Sequence, residues 1–353
     1  MSFLHFTGKS LDIPIIQGGM GIGVSLGGLA GAVMKEGGMG VISAAQPGYR
    51  DPDFKRDPFN ANLRALKAEI KKAREISQGK GLLGINLMVA GQHYDRYATE
   101  IGEMDIDVII SGAGLPLELP NLVKNDQVAL APIVSSGKAA YLLCRRWFQR
   151  YLRYPDFIVI EGPLAGGHLG FSWDELKAHS EQKLEDILKD CQKALDDLGI
   201  TIPLVVAGGI YTGKDIAAFL KQGAAAVQMA TRFIATYECD AHKNFKKVFL
   251  NTKQEDIEYV ISPSGYPGRA IVNDFVRRMR QGRIAPIHCV NCLKPCNPPT
   301  TPYCITEALI NSVSGDTDHG LVFTGVNGYR IDKIVHVSEL IEELMSDMKA
   351  VTV

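Results

Sequence analysis

Eight short apolar runs limit what this chain can become more than any other feature. They are IPIIQGG from Ile13, MGVISAA from Met39, LLGINLM from Leu82, IDVIISGAG from Ile106, VALAPIVSSG from Val128, FIVIEGPLAGG from Phe157, IPLVVAGGI from Ile202 and AAAVQMATRF from Ala224. They are rich in Val and Ile and do not alternate with polar residues, which is how strands covered on both faces of a parallel sheet read. Helical spacing fills the gaps, in GGLAGAVMKEGG, NANLRALKAEIKKAREISQG, GKAAYLLCRRWFQRYL, WDELKAHSEQKLEDILKDCQKALDDLG and GKDIAAFLKQG. Strand then helix, eight times over about 230 residues, predicts an α/β fold closed as a TIM (β/α)8 barrel. A doubly wound open sheet is the rival, and the count of eight favours the barrel.

The pattern breaks after TRFIAT. We therefore expect a barrel built from residues 1–236 and 305–353, with a smaller α/β lid domain over 237–304 that carries a four-cysteine loop. The chain is 46% hydrophobic and 22% charged with a net charge of -1, enough to bury a core and no general attraction for nucleic acid or anionic membrane. No apolar run is long enough to span a bilayer and the start lacks a secretory pattern, so a cytoplasmic protein is expected. Seven cysteines, three of them scattered, suit a reducing compartment.

In a barrel the site lies at the C-terminal ends of the strands. Those ends carry Gly18-Gly19-Met20-Gly21, Asn86, Ser111 to Gly114, Ser135-Ser136, Glu161 to His168, Gly208-Gly209 and Gln228 to Thr231. Glycines and small polar groups dominate, as a flat cofactor approaching the backbone closely would require. Gly208 and Gly209 before one helix, and VQMATRF after the eighth strand, sit where barrels commonly cradle a phosphate. One phosphate site, without Gly-x-Gly-x-x-Gly after a first strand, points to a mononucleotide and so to FMN.

The pieces PIIQGGMG, GINLM, AGGHLG, VVAGGI and VQMATRF, in that order, make the chain resemble the nitronate monooxygenase family, formerly the 2-nitropropane dioxygenases, which includes the flavin-dependent enoyl-ACP reductases. The resemblance implies that His168 is the catalytic residue beside the flavin, as base or hydrogen-bond donor. It implies that Gly18, Gly19 and Met20 lie against the isoalloxazine and that Asn86 and Glu161 reach the ring or ribityl. Gly166, Gly167, Gly208 and Gly209 would let the cofactor approach, and Gln228, Met229, Ala230 and Thr231 would hold its phosphate. The leading activity is oxidation of alkyl nitronates with O2. NAD(P)H-dependent reduction of an enoyl thioester is the alternative. Two departures bear on this choice: Leu164 stands where many members carry an acid before AGGH, and Glu161 stands where nitronate oxidisers often have Gln. The tail SVSGDTDHGLVFTG also looks more like the reductase branch.

CVNCLKPCNPPTTPYC places Cys289, Cys292, Cys296 and Cys304 within sixteen residues. That spacing suits an iron–sulfur cluster or structural Zn²⁺, and equally a loop of reduced thiols, so no metal ligand is assigned. It also motivates a third reading, a non-catalytic flavin or metal redox sensor or electron carrier. RAIVNDFVRRMRQGR, from Arg269, reads as a solvated basic helix face. CRRWFQRYLRY fits the fifth barrel helix, away from the site, and is not read as a nucleic-acid surface. The expected partner is a small-molecule substrate, and the sequence is compatible with a homodimer.

Overall fold

The computed structural model describes residues 3–351. All eight apolar runs form strands: Ile15–Gln17, Met39–Ser43, Leu82–Met88, Val108–Gly112, Ala129–Val134, Ile158–Glu161, Leu204–Ala207 and Ala226–Met229. Each pairs in parallel with the next, and the eighth returns to the first through Val227↔Ile15 and Gln228↔Ile16, closing the barrel. The runs do not alternate because both faces are dry. Ile16, Val41, Val108, Ile110, Ala131, Val159 and Val205 fill the interior. Their neighbours Ile42, Ile85, Ile109, Leu130, Ile160 and Val206 pack outward on the helices.

An antiparallel pair, His5–Phe6 with Lys9–Ser10, closes the N-terminal end of the barrel. Leu4, Phe6 and Leu11 are buried against the interior residues, with the Phe6 ring 5.1 Å from Phe157. A closed bottom leaves the opposite rim as the accessible end.

The helical stretches follow the sequence reading, with one correction. WDELKAHSEQKLEDILKDCQKALDDLG is two helices, Trp173–Ala178 and Leu184–Leu198. Ser172 and Glu175 form a capping box at the start, and His179, in the left-handed region, ends the first helix. The extended residues that follow bring Ser180 and Gln182 to the barrel mouth. On the fifth helix, Gly137–Tyr151, Trp147 is fully buried and donates to the Pro116 carbonyl, while Arg145, Arg146 and Arg150 face solvent.

Beyond the eighth strand lie helix Lys243–Asn251, strands Ile257–Ile261 and Pro267–Ile271, and helix Asp274–Gln281. The two strands pair antiparallel, and Pro267–Ile271 pairs on its other edge with Gly167–His168. The histidine turn is thus the edge strand of this separate three-stranded sheet. Helix Ile305–Val313 contributes Ile305 and Ala308 to the same apolar cluster as Val260, Phe275 and Tyr303, and helix Val337–Ala350 packs on the barrel through Leu340 and Leu344.

Candidate active site

The strand ends open into one cavity of about 770 Å³, a size suited to a cofactor with substrate. All fourteen residues singled out from the sequence line it: Gly18, Gly19, Met20, Asn86, Glu161, Gly166, Gly167, His168, Gly208, Gly209, Gln228, Met229, Ala230 and Thr231. Gly112 to Gly114, Ser135 and Ser136 join them. Ser111 does not: its hydroxyl pairs with Tyr94 Oη and donates to the Leu87 carbonyl behind the strand.

The histidine turn is pinned on both sides of its glycines. Ala165 and Leu169 are buried with Leu176, and the Leu169 N–H donates to the Pro267 carbonyl at 2.8 Å. Between these anchors Gly166 passes so close to Thr324 and Gly325 that a Cβ would overlap their backbone. Neither neighbour is a side chain able to swing away, so Gly166→Ala should lower stability by about 2 kcal/mol; a urea midpoint measures it. Gly208 and Gly209 adopt φ of 97° and 88°, open to glycine and strained for other residues. Asn327 Nδ2 donates to the Gly209 carbonyl at 2.7 Å and fixes that turn.

His168 Nε2 lies 2.7 Å from Ser262 Oγ, and its ring meets Phe323 edge-on at 5.2 Å. Burial pushes the imidazole's pKa down to about 4. Burial pushes the Glu161 carboxyl up to about 8, against a smaller opposing pull from Arg269. At neutral pH both groups are therefore uncharged. Arg269 is only 5% exposed. It donates to the carbonyls of Pro163, at 2.8 Å, and of Ala165, and to Tyr259 Oη at 3.0 Å.

These shifts set opposite slopes of stability against pH. The folded chain keeps the Glu161 proton up to about pH 8, while an unfolded carboxyl loses it near 4.5, so this group's contribution falls as pH rises between those values. His168 resists protonation down to about 4 against 6.5 unfolded, so its contribution falls as pH drops through that window. Above 6.5 only the Glu161 slope remains. Ligand-free Glu161→Gln should lose less stability between pH 6.5 and 8 than the ligand-free native chain, read from denaturant midpoints at the two pH values.

The model of one family, described as nitronate monooxygenase, matches residues 5–347. The chain belongs to the nitronate monooxygenase family. It is an oxidoreductase enzyme. Similar relatives are a probable nitronate monooxygenase of Bacillus subtilis (strain 168), 27% identical over 77% of this chain and 80% of that one, and another of Staphylococcus aureus (strain Newman), 26% identical over 77% and 79%. Among solved structures, FabK from Thermotoga maritima superposes with a TM-score of 0.73 at 25% identity, over 97% of this chain and 94% of that one. A nitroalkane oxidase from Streptomyces ansochromogenes superposes at 0.74 and 20% identity, over 97% of each chain, a likeness of fold.

For this family member the sequence reading did not single out Ser262, Arg269, Phe323, Thr324, Gly325 or Asn327. Arg269 was taken into a solvated basic face, although it is buried in a strand. The available signal was position: Arg269 precedes the apolar residues Ala270-Ile271-Val272, whereas the other arginines follow Asn273, which caps helix Asp274–Gln281. Among the described residues, no helix is long and apolar enough to cross a membrane.

Proposed function

We propose that the protein is an FMN-dependent nitronate monooxygenase that oxidises alkyl nitronates with O2, with His168 as the catalytic residue. The supporting observation is the convergence of His168, Glu161 and the glycine cradle on one cavity. The cavity fits the cofactor on two further counts. Gln228 Oε1 is buried without a protein hydrogen-bond partner, an acceptor that a bound polar ring or ribityl would satisfy. Gly208 and Gly209, held at positive φ, present bare backbone to the cavity, which a flat ligand can approach closely. Gly208, Gly209 and Gln228 to Thr231 would hold the phosphate, with Gly18 to Met20, Asn86 and Glu161 around the ring system. When bound, FMN accepts electrons from the substrate and delivers them to O2.

The chain's own groups orient the nitronate. Ser262 Oγ accepts from Ser264 N at 3.2 Å and from Ser264 Oγ at 3.0 Å, so its own proton goes to His168 Nε2. That assigns the neutral tautomer with hydrogen on Nδ1, a donor for an anionic nitronate oxygen. Glu161, held protonated, adds no negative charge beside that anion. Leu164, 45% exposed on the cavity wall where many members carry an acid, also keeps this side of the site uncharged.

Ser262→Ala removes the donor that occupies the Nε2 lone pair, so the His168 pKa rises. The acid limb of the kcat/KM profile should move to higher pH in that variant, and an unmoved limb would refute the tautomer assignment. The enoyl thioester reading keeps two specific supports, Glu161 in place of Gln and the tail SVSGDTDHGLVFTG. It requires reduction by NAD(P)H, which steady-state assays with each substrate pair separate from nitronate oxidation.

A further inference from the structure

We propose that Cys289, Cys292, Cys296 and Cys304 form a binding site for an iron–sulfur cluster, set against the wall of the cavity and independent of the flavin's substrate. Three cysteines in one run, C-x2-C-x3-C, with a fourth after seven more residues, share with ferredoxin-type ligands the grouping of several thiolates in one loop, with a spacing of their own. Structural zinc sites tend instead to pair their ligands as two separated knuckles.

The fold folds this loop onto itself. The Glu307 carboxylate, in the first turn of helix Ile305–Val313, accepts the N–H groups of Ile287 at 3.1 Å and His288 at 2.7 Å. That contact carries Cys289 to the start of the helix that Cys304 precedes. Arg283 donates to the carbonyls of Thr301 and Pro298, bracing the link between Cys296 and Cys304. Asn291, in the left-handed region at φ 52°, turns its N–H onto Cys289 Sγ at 3.3 Å. A backbone N–H aimed at sulfur stabilises a thiolate and gives little to a thiol.

All four cysteines are free thiols, and Cys292 and Cys296 pack on the second domain's apolar cluster beside Met88 and Leu309. Among the described residues no three His, Cys, Asp or Glu side chains close around a point as a single ion needs. A cluster several atoms across takes thiolates spaced more widely than an ion does. The loop is also docked on the barrel: Gln92 N–H donates to the Cys292 carbonyl and Lys294 N–H to the Ala90 carbonyl, both at 2.9 Å. Met88 and Leu309, packed on the same apolar cluster as Cys292 and Cys296, line the cavity. The cysteine loop and the cavity thus share this cluster.

The test is metal and acid-labile sulfide analysis of the full chain isolated anaerobically and reconstituted with ferrous iron and sulfide. Electron paramagnetic resonance after dithionite reduction accompanies it. A four-iron cluster gives about four iron and four sulfide per chain. Cys292→Ala should cut iron at least about threefold while flavin content stays unchanged, since all four ligands are needed to hold the cluster. Cys289→Ala, at an exposed position, should do the same without loss of fold, and Cys191→Ala, buried in the barrel, should not. One zinc per chain, no iron after reconstitution, or iron retained by both loop variants would overturn the site.

Discussion

Replacing His168 with alanine should leave the flavin bound and reduce kcat by about 10²–10⁴, the span expected when a positioned proton-handling group is lost. The two halves of that expectation come from different parts of the cavity. The groups proposed to hold FMN are backbone at Gly208 and Gly209 and the strand-eight end at Gln228 to Thr231, none of which His168 supports. His168 instead meets Ser262 and Phe323, both from the chain that follows the eighth barrel strand. Visible absorbance of the purified variant measures flavin content and turnover with an alkyl nitronate measures catalysis. A variant that turns over at the native rate would remove His168 from the mechanism.

Arg269→Met should have the largest effect on stability, about 3 kcal/mol, although residue 269 touches no proposed ligand. The buried guanidinium satisfies the carbonyls of Pro163 and Ala165, which flank the loop leading into Gly166. An apolar replacement of similar length leaves two carbonyls without partners, each costing about 1–3 kcal/mol. The strand pairing of Arg269 with Gly167 and Gly268 with His168 is made by backbone and survives the change. The turn therefore loosens without leaving the sheet. Guanidinium chloride unfolding gives the stability. A positioning role also requires kcat to fall while the variant still holds flavin, and native kcat in a destabilised protein would leave Arg269 a purely structural residue.

The barrel was legible because parallel strands covered on both faces have no solvent side to encode. Runs such as IDVIISGAG and IPLVVAGGI therefore announce themselves without alternation. The cavity-lining residues were legible for a related reason. Strand ends in a barrel converge, so Asn86, Glu161 and Gln228 meet although long stretches of sequence separate them. What supports the histidine turn was not legible. Ser262 and Arg269 reach it only because Pro267–Ile271 pairs antiparallel with Gly167–His168 across about a hundred residues, and a two-residue edge strand leaves no periodicity to read. Nor did spacing separate Trp173–Ala178 from Leu184–Leu198. The apolar period runs on through the break, and only the left-handed His179 ends the first helix. The perturbed titrations of His168 and Glu161 arise from burial, which neither residue's neighbours in sequence reveal.

The central claim is that this cavity holds a flavin that nitronates reduce. Anaerobic mixing of the purified protein with an alkyl nitronate, and separately with NADH or NADPH, tests it directly through the visible absorption of the bound flavin. The account predicts rapid bleaching by the nitronate, recovery of colour on admitting O2, and no comparable bleaching by either nicotinamide. Bleaching by NADH or NADPH with none by the nitronate would contradict it and assign the cavity to enoyl thioester reduction.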